Sequence, residues 1–121
     1  MTEEELQTAL EKTLPAVDLH DVFVEQCQDH DVRLRFSLKP GETWTTARLL
    51  SLADTSLRAA AGLGAALTHL SVTVLKAPLD ADVIALSRVI RRDGQMAHAE
   101  AWLFSHAVVD PMLHATASLR R

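Results

Sequence analysis

The alternation of apolar and polar positions divides the chain into two helices and several strands. Near the start, "TEEELQTALEKTL" places Leu6, Leu10 and Leu14 on one face of a helix. Thr2 precedes three glutamates, which suits a helix N-cap followed by acids near the positive end of the helix dipole. The pattern therefore predicts a short amphipathic helix that begins after Thr2.

A two-residue spacing follows Pro15. Val32, Leu34, Phe36 and Leu38 alternate with polar residues until the chain reaches Pro40 and Gly41, which is the spacing of a strand with one buried face. The letters "QDHD" separate this run from an earlier apolar run. This part of the sequence predicts a strand pair joined by that turn.

Residues 44–67 predict a long helix. They contain no proline, and beyond their start Leu and Ala dominate over β-branched residues. The segment is apolar nearly all round, so we expect the rest of the fold to wrap it. Asp54 is a carboxylate in the middle of its apolar stretch "RLLSLADTSLRAAAGLGAAL", and its presence there requires an explanation.

The second half of the chain predicts four strands. "HLSVTVLKAP" is rich in β-branched residues and ends at a proline, and "DVIALSRVIRRDGQMAHAEAWLFSHAVV" holds an Asp93-Gly94 hairpin signal between two long runs. A "DP" break then precedes "MLHATASL". The predicted order is a helix, two strands, a long helix and four strands, which is an α+β fold.

The predicted strand that starts at Met96 has two unlike faces, because successive side chains point to opposite sides of a sheet. One face carries mostly small residues, which would let the long helix approach closely: Ala97, Ala99, Ala101 and Leu103. The other face is bulky and carries Met96, His98, Trp102 and Phe104. The bulky face needs cover. We therefore expect a homo-oligomer, either a dimer or a dimer of dimers formed through sheet packing.

Composition narrows the class of protein. A chain of 121 residues with 48% hydrophobic content is long enough for one domain, residues 1–121, with a real core. The net charge is −4 and the 12 basic residues are dispersed, which argues against an electrostatic nucleic-acid binder. The single cysteine, the acidic N-terminus and the lack of a membrane-length apolar run favour a cytoplasmic protein that has no membrane partner.

The histidines and the cysteine are weaker candidates for chemistry. His98, Glu100 and His106 share one strand face, but no close-spaced pair such as His-x-His occurs, so we expect no bound metal. Cys27 lies in a predicted strand beside polar residues, which favours a half-buried thiol over a nucleophile.

The central helix carries a family resemblance. "LLSLADTSLRAA" resembles the central helix of the phenylacetate-pathway type of hotdog acyl-CoA thioesterases, in which a "LADT"-like stretch holds the catalytic acid. "LTHLSVTVLKAPLDADVIALSRVIRRDGQMAHAEAWLF" is similar to that family's later strands, so the resemblance covers residues 40–119. It implies a hotdog fold, in which an antiparallel sheet of about five to six strands wraps the long helix.

The resemblance also implies a site. Asp54 would be the base or nucleophile that acts on a thioester, and the backbone N–H of Thr46, with Ala47 beside it, would stabilise the oxyanion at a helix start. Thr68 falls where some members carry a serine that orients the attacking water, although a threonine there could also end the helix. The family's His-Gly-Gly is replaced by residues 45–47, Thr-Thr-Ala. Coenzyme A would enter as part of the substrate, with no separate cofactor.

Helix geometry adds a constraint. Asp54 comes eight positions after Thr46, so the two lie roughly 12 Å apart along the axis at about 1.5 Å per residue. Reacting groups must lie within about 3 to 3.5 Å of the attacked atom. One helix cannot present both groups to one carbonyl, whereas two antiparallel helices at a dimer interface can, and the family resemblance implies the same arrangement.

Alternatives remain at each point. Asp54 can pair with Arg58 one turn later as an ordinary surface contact. Arg88, Arg91 and Arg92 near the predicted turn can bind coenzyme A phosphates, or they can be solvated turn charges. The whole protein is then either an acyl-CoA thioesterase or a non-catalytic hotdog protein that binds an acyl or acyl-CoA ligand or serves as an assembly module.

Overall fold

The computed structural model describes residues 2–13, 22–28, 31–106 and 110–121. Two helices and six strands follow one another in the predicted order: α1 (Glu3–Thr13), β1 (Val22–Gln28), β2 (Asp31–Phe36), α2 (Thr46–Ala61), β3 (Ala66–Val74), β4 (Val83–Asp93), β5 (Met96–Ser105) and β6 (Pro111–Arg120). The prediction of an α+β chain with a short first helix and a long second helix is confirmed. Neither described helix is long and apolar enough to span a lipid bilayer.

Helix α1 begins as its sequence predicts. The Thr2 hydroxyl accepts a hydrogen bond from the Glu5 backbone N–H at 3.2 Å and donates one to the Glu5 carboxylate at 3.1 Å, so the two residues cap the first turn. Leu6 and Leu10 are completely buried. Leu14, the third leucine of the predicted face, lies outside the described residues.

All six strands form one antiparallel sheet in the order β1-β2-β4-β5-β6-β3. Strands β1 and β3 are therefore its two edges. The Gln7 carboxamide of α1 covers part of the β1 edge, because its nitrogen donates to Val22 O and its oxygen accepts from Val24 N, both at 2.7 Å. A covered edge cannot pair with another chain at that point.

Helix α2 packs on the sheet through the small residues that the sequence predicts. Ala97, Ala99 and Ala101 of β5 are at most 1% exposed, and they leave room for the helix to lie close to the strand. One hydroxyl group joins the two layers, because Ser87 of β4 donates to Ser56 O of α2 at 2.8 Å. The Ser56 hydroxyl donates within the helix, to Leu52 O, also at 2.8 Å.

Helix α2 is shorter than the predicted 44–67. It ends at Ala61, where Gly62 takes a φ of 134° and donates its N–H to Arg58 O at 2.7 Å. A turn closed by Ala65 N and Gly62 O at 3.0 Å then leads directly into β3. The positive φ at Gly62 is unfavourable for a residue with a side chain, so this glycine ends the helix even though apolar residues continue beyond it.

The face of α2 that points away from the sheet is not wholly apolar. It carries a stripe of residues spaced three or four apart, in which Ala47 is exposed and Ser51, Asp54 and Arg58 are half-buried. Within one chain the sheet thus covers one face of the helix, and the stripe is left partly open. Asp54 lies on this open stripe.

Candidate active site

Asp54 is held by an arginine from its own helix. Arg58 Nε donates to Asp54 Oδ1 at 2.8 Å, and Arg58 Nη1 donates to Ala65 O at 3.0 Å in the turn before β3. The two side chains are 39% and 34% exposed for Asp54 and Arg58 respectively. The i,i+4 pair that the sequence left as an alternative therefore forms, and it fixes one carboxylate oxygen while solvent can still reach the group.

The other half of the predicted site is the start of α2. Thr45 is the N-cap, and its hydroxyl accepts from Arg48 N at 3.2 Å while its carbonyl accepts from Leu49 N at 3.0 Å. The backbone N–H groups of Thr46 and Ala47 donate no hydrogen bond within the part of the chain that the structure describes, and both residues are exposed. These two amides are thus available to an anion at the positive end of the helix dipole.

Two contacts of Trp44 hold this helix start in place. The Trp44 indole Nε1 donates to Ala81 O at 2.7 Å in the segment between β3 and β4, and the Arg48 guanidinium lies 4.6 Å from the Trp44 ring centroid. Arg48 also donates to Thr43 O at 2.6 Å. A buried aromatic anchor and a stacked cation keep the first turn rigid.

Thr68 does not end the helix, because it lies in β3. It falls at a bulge in the pairing with β6, and its hydroxyl donates to Ser118 O at 2.9 Å. Thr68 is exposed. Within one chain it shares no hydrogen bond with Asp54 among the described residues.

The three arginines near the β4–β5 hairpin are not brought together. Arg88 pairs with Glu100 at 2.7 Å and Arg91 pairs with Asp93 at 3.1 Å. Arg92 lies opposite Ala97, on the helix side of the sheet, and donates to Ala61 O at 3.2 Å. The sheet thus separates Arg92 from Arg88, which the sequence alone placed in one group.

The outer face of the sheet holds a compact ionic and aromatic cluster around Glu100. Glu100 contacts Arg88 at 2.7 Å and His114 at 3.3 Å, and the His114 ring stacks on Trp102 with centroids 3.9 Å apart. Burial would raise the pKa of Glu100, but its hydrogen bonds and charge contacts with Arg88 and His114 outweigh burial, so its pKa lies below the usual range. Arg33 joins the rim of a cavity of about 380 Å³ beside this cluster.

This outer face is more polar than the sequence predicts. Met96, Trp102 and Phe104 are half-buried, and the ion pairs above lie between them. Phe23 and Leu86 are exposed apolar residues of this face, at 54% and 38%, and Ile90, in the bulge of β4, is 56% exposed. Assembly through this face stays a prediction.

Two of the three residues considered for metal binding use their side chains in other contacts. His98 Nδ1 lies 3.0 Å from the Ser118 hydroxyl, and the Glu100 carboxylate contacts Arg88 and His114 as described above. His106 is exposed, and its backbone N–H donates to Asp82 O at 2.7 Å. Within the described ranges no three His, Cys, Asp or Glu side chains are grouped closely enough to hold a metal ion. Burial raises the pKa of the Cys27 thiol, and a raised pKa disfavours the nucleophilic thiolate.

Sequence reasoning missed the residue that meets Arg92 at the end of α2. Arg121, which follows β6, also donates to Ala61 O, at 3.3 Å. No local signal joins positions 92 and 121, because only the order of the strands places the ends of β4 and β6 beside the same helix end. Gln7 was missed for the same reason, since its partners lie in β1.

Comparison with known proteins bears on the fold. The sequence matches no family model, and a search of curated proteins also gives no match. Among solved structures, a proposed thioesterase from a Silicibacter species superposes with a TM-score of 0.85 at 20% identity, over 99% of this chain and 91% of that one.

Two further solved structures have the same arrangement. A hypothetical thioesterase from Streptococcus pneumoniae, solved with coenzyme A, gives a TM-score of 0.78 at 13% identity and covers 94% of both chains. A proposed thioesterase from Ralstonia eutropha, related to phenylacetic acid degradation, gives 0.77 at 11% identity over 96% of this chain and 98% of that one. The resemblance read from the central helix is thus confirmed in the fold: the chain has the hotdog fold found in the thioesterase superfamily.

Proposed function

We propose that this protein is an acyl-CoA thioesterase whose site is shared between two chains. One observation carries the proposal: α2 holds both a carboxylate and free amides that a substrate can reach. Asp54 is partly exposed on the open stripe, and the backbone N–H groups of Thr46 and Ala47, at the start of the same helix, donate no hydrogen bond to the described residues. A base and an oxyanion donor are the two parts that thioester hydrolysis requires.

Asp54 suits the role of base. Arg58 holds Oδ1 at 2.8 Å, and Oδ2 accepts no hydrogen bond from the described residues, so this second oxygen is free to take a proton from water. The attacking water oxygen forms a bond to the thioester carbonyl carbon as Asp54 takes its proton. The C–S bond then breaks, the proton passes to the departing sulfur, and the products are a carboxylic acid and free coenzyme A.

The amides of Thr46 and Ala47 suit the role of oxyanion donors. Thr45 caps the third amide of the helix, that of Arg48, and this leaves the first two for a ligand. Loss of the family's Gly-Gly keeps both N–H groups, because every residue except proline has one.

Two features favour a site shared between chains. Asp54 and Thr46 lie roughly 12 Å apart along one helix, which is too far for both to act on one carbonyl group. The sheet also has an open edge where a second chain can pack. Strand β3 is an edge whose helix-side row is not fully covered: Leu67, Leu70 and Val72 are half-buried and Val74 is 50% exposed. A second copy placed against this row, with its α2 antiparallel, would bring its Thr46 amide towards Asp54. This contact would also cover the apolar row.

The proposal is tested by a panel of acyl-CoA esters with detection of the free thiol. We expect hydrolysis of at least one chain length, and we expect Asp54→Asn to abolish it. Turnover in that variant equal to the wild type would end the assignment of Asp54 as the base.

A second candidate is a non-catalytic hotdog protein that binds acyl-CoA. The Arg58 contact favours it, because an ordinary ion pair within one helix accounts for the Asp54 carboxylate without any catalytic role. The missing His-Gly-Gly points the same way. Binding of coenzyme A esters without release of thiol across the panel would select this candidate.

A further inference from the structure

Two guanidinium groups converge at the C-terminal end of α2. Arg92 Nη2 and Arg121 Nη2 donate to the same oxygen, Ala61 O, at 3.2 and 3.3 Å. Both arginines are exposed. Each guanidinium uses one N–H for this contact, and its other N–H groups remain able to donate to a ligand.

Among the described residues, no side-chain carboxylate pairs with the two guanidinium groups. Neither Arg92 nor Arg121 forms an ion pair within the described ranges, whereas Arg88 and Arg91 each do so on the other face of the sheet. Arg58, whose charge is paired with Asp54, also lies next to this end of the helix, where it reaches Ala65 O. The α2 carbonyl end offsets only a fraction of one charge.

We propose that Arg92 and Arg121 form a binding site for the phosphate groups of coenzyme A. The inference rests on the proposed function for its choice of ligand. Planar guanidinium groups bind phosphate oxygens in pairs, and the shared carbonyl orients both forks before the ligand arrives.

The position fits the shape of this ligand. Ala61 comes seven positions after Asp54, so it lies roughly 10 Å further along the helix axis. The pantetheine arm of coenzyme A is a long chain that separates the reacting sulfur from the diphosphate. A phosphate site displaced from the base in this direction lets one ligand occupy both.

Calorimetric titration of the full chain with free coenzyme A tests the site without any need for turnover. We expect Arg92→Gln and Arg121→Gln each to weaken binding about tenfold, which is the loss expected for a charge-assisted hydrogen bond. Pantetheine, which lacks the phosphates, should bind the wild type and the double variant equally. Higher salt should weaken binding of coenzyme A to the wild type more than to the double variant.

Arg88→Gln and Arg91→Gln are the matched controls, because they remove arginines from the same strand that are already paired with carboxylates. We expect both to bind coenzyme A as the wild type does. If Arg92 and Arg121 only cap the helix, their variants would lower the melting temperature and leave coenzyme A binding unchanged. That result would overturn the inference, as would a wild type that binds coenzyme A no better than pantetheine.

A kinetic comparison separates this site from the catalytic proposal. We expect the double variant to lose kcat/KM for an acyl-CoA ester and to keep it for the N-acetylcysteamine thioester of the same acid, which has no phosphate. Equal loss for both substrates would contradict the phosphate assignment. Absence of hydrolysis in the wild type would contradict the proposed thioesterase activity but not the phosphate site, because the titration still decides whether Arg92 and Arg121 bind the phosphates.

Discussion

Arg58 holds Asp54 through one oxygen only: Arg58 Nε lies 2.8 Å from Asp54 Oδ1, one turn further along α2. The same guanidinium also donates a hydrogen bond from Nη1 to Ala65 O at 3.0 Å, which fixes its position. The carboxylate therefore has a set orientation, with Oδ2 directed elsewhere. For a base this arrangement is useful, because a positioned oxygen loses less entropy when it accepts a proton.

Asp54→Asn should abolish hydrolysis with little change in melting temperature. The substitution keeps the size of the side chain, and the exposed ion pair that it removes contributes only a few tenths of a kcal/mol. Steady-state assays and thermal unfolding check both parts. Glu25→Gln, which removes the carboxylate of another exposed ion pair on β1, should leave turnover unchanged, and a loss of turnover there would show that the assay reports something other than Asp54.

Arg58→Ala should lower kcat by about tenfold or more, because the carboxylate then samples several rotamers and approaches water less often in the reactive geometry. Added guanidinium ion at millimolar concentration should restore part of the lost rate. Arg58→Lys should retain more activity than Arg58→Ala. A purely structural role for Arg58 would give no recovery with guanidinium.

Mixing two inactive homodimers should restore activity if the site is shared. Asp54→Asn removes the acid from every site, and Thr46→Pro removes the amide of Thr46. Proline is tolerated at the first position of a helix, so the second variant should fold. Unfolding and remixing the two should create one site with both groups intact. Failure to recover activity, with heterodimers confirmed by mass spectrometry and the proline chain shown to be folded, would refute the shared site.

Val74→Lys should break the proposed pairing of two chains. Val74 is 50% exposed on the helix-side row of β3, so one chain tolerates the lysine, whereas an apolar interface does not. Light scattering should show a smaller particle, and hydrolysis should fall with it. Thr8→Lys is the control and should leave the particle size unchanged, since Thr8 is exposed on α1, which packs on β1 at the opposite edge of the sheet. A dimer that survives Val74→Lys would place the interface elsewhere.

Glu100→Gln should destabilise the protein by about 1 kcal/mol at neutral pH, because it removes a charged partner of Arg88 and His114. The pKa of Glu100 is lowered in the folded state, so the stabilisation is present above the unfolded value of about 4.3 and is lost as the pH falls through the folded value. Urea unfolding at several pH values checks the sign. The difference from the wild type should shrink below about pH 4, and a difference that grows there would contradict this account.

The local sequence determined the elements, because the spacing of apolar side chains is itself a local property. Thr2 and Glu5 form the cap that their residue types predict, and the small residues of β5 face α2 as their alternation requires. The acid in the middle of α2 and its i,i+4 partner Arg58 were also readable, because both lie on one helix. Gly62 was the local signal that the predicted helix end overlooked.

Only the tertiary structure decided which distant residues meet. The order β1-β2-β4-β5-β6-β3 places Arg92 and Arg121 at one helix end, and the bulge of β4 between Val89 and Arg91 puts Arg88 and Arg92 on opposite faces of the sheet. The same order makes β3 an open edge, while Gln7 covers part of the β1 edge. Strand order depends on the sum of long-range packing across the sheet, and no local pattern encodes it.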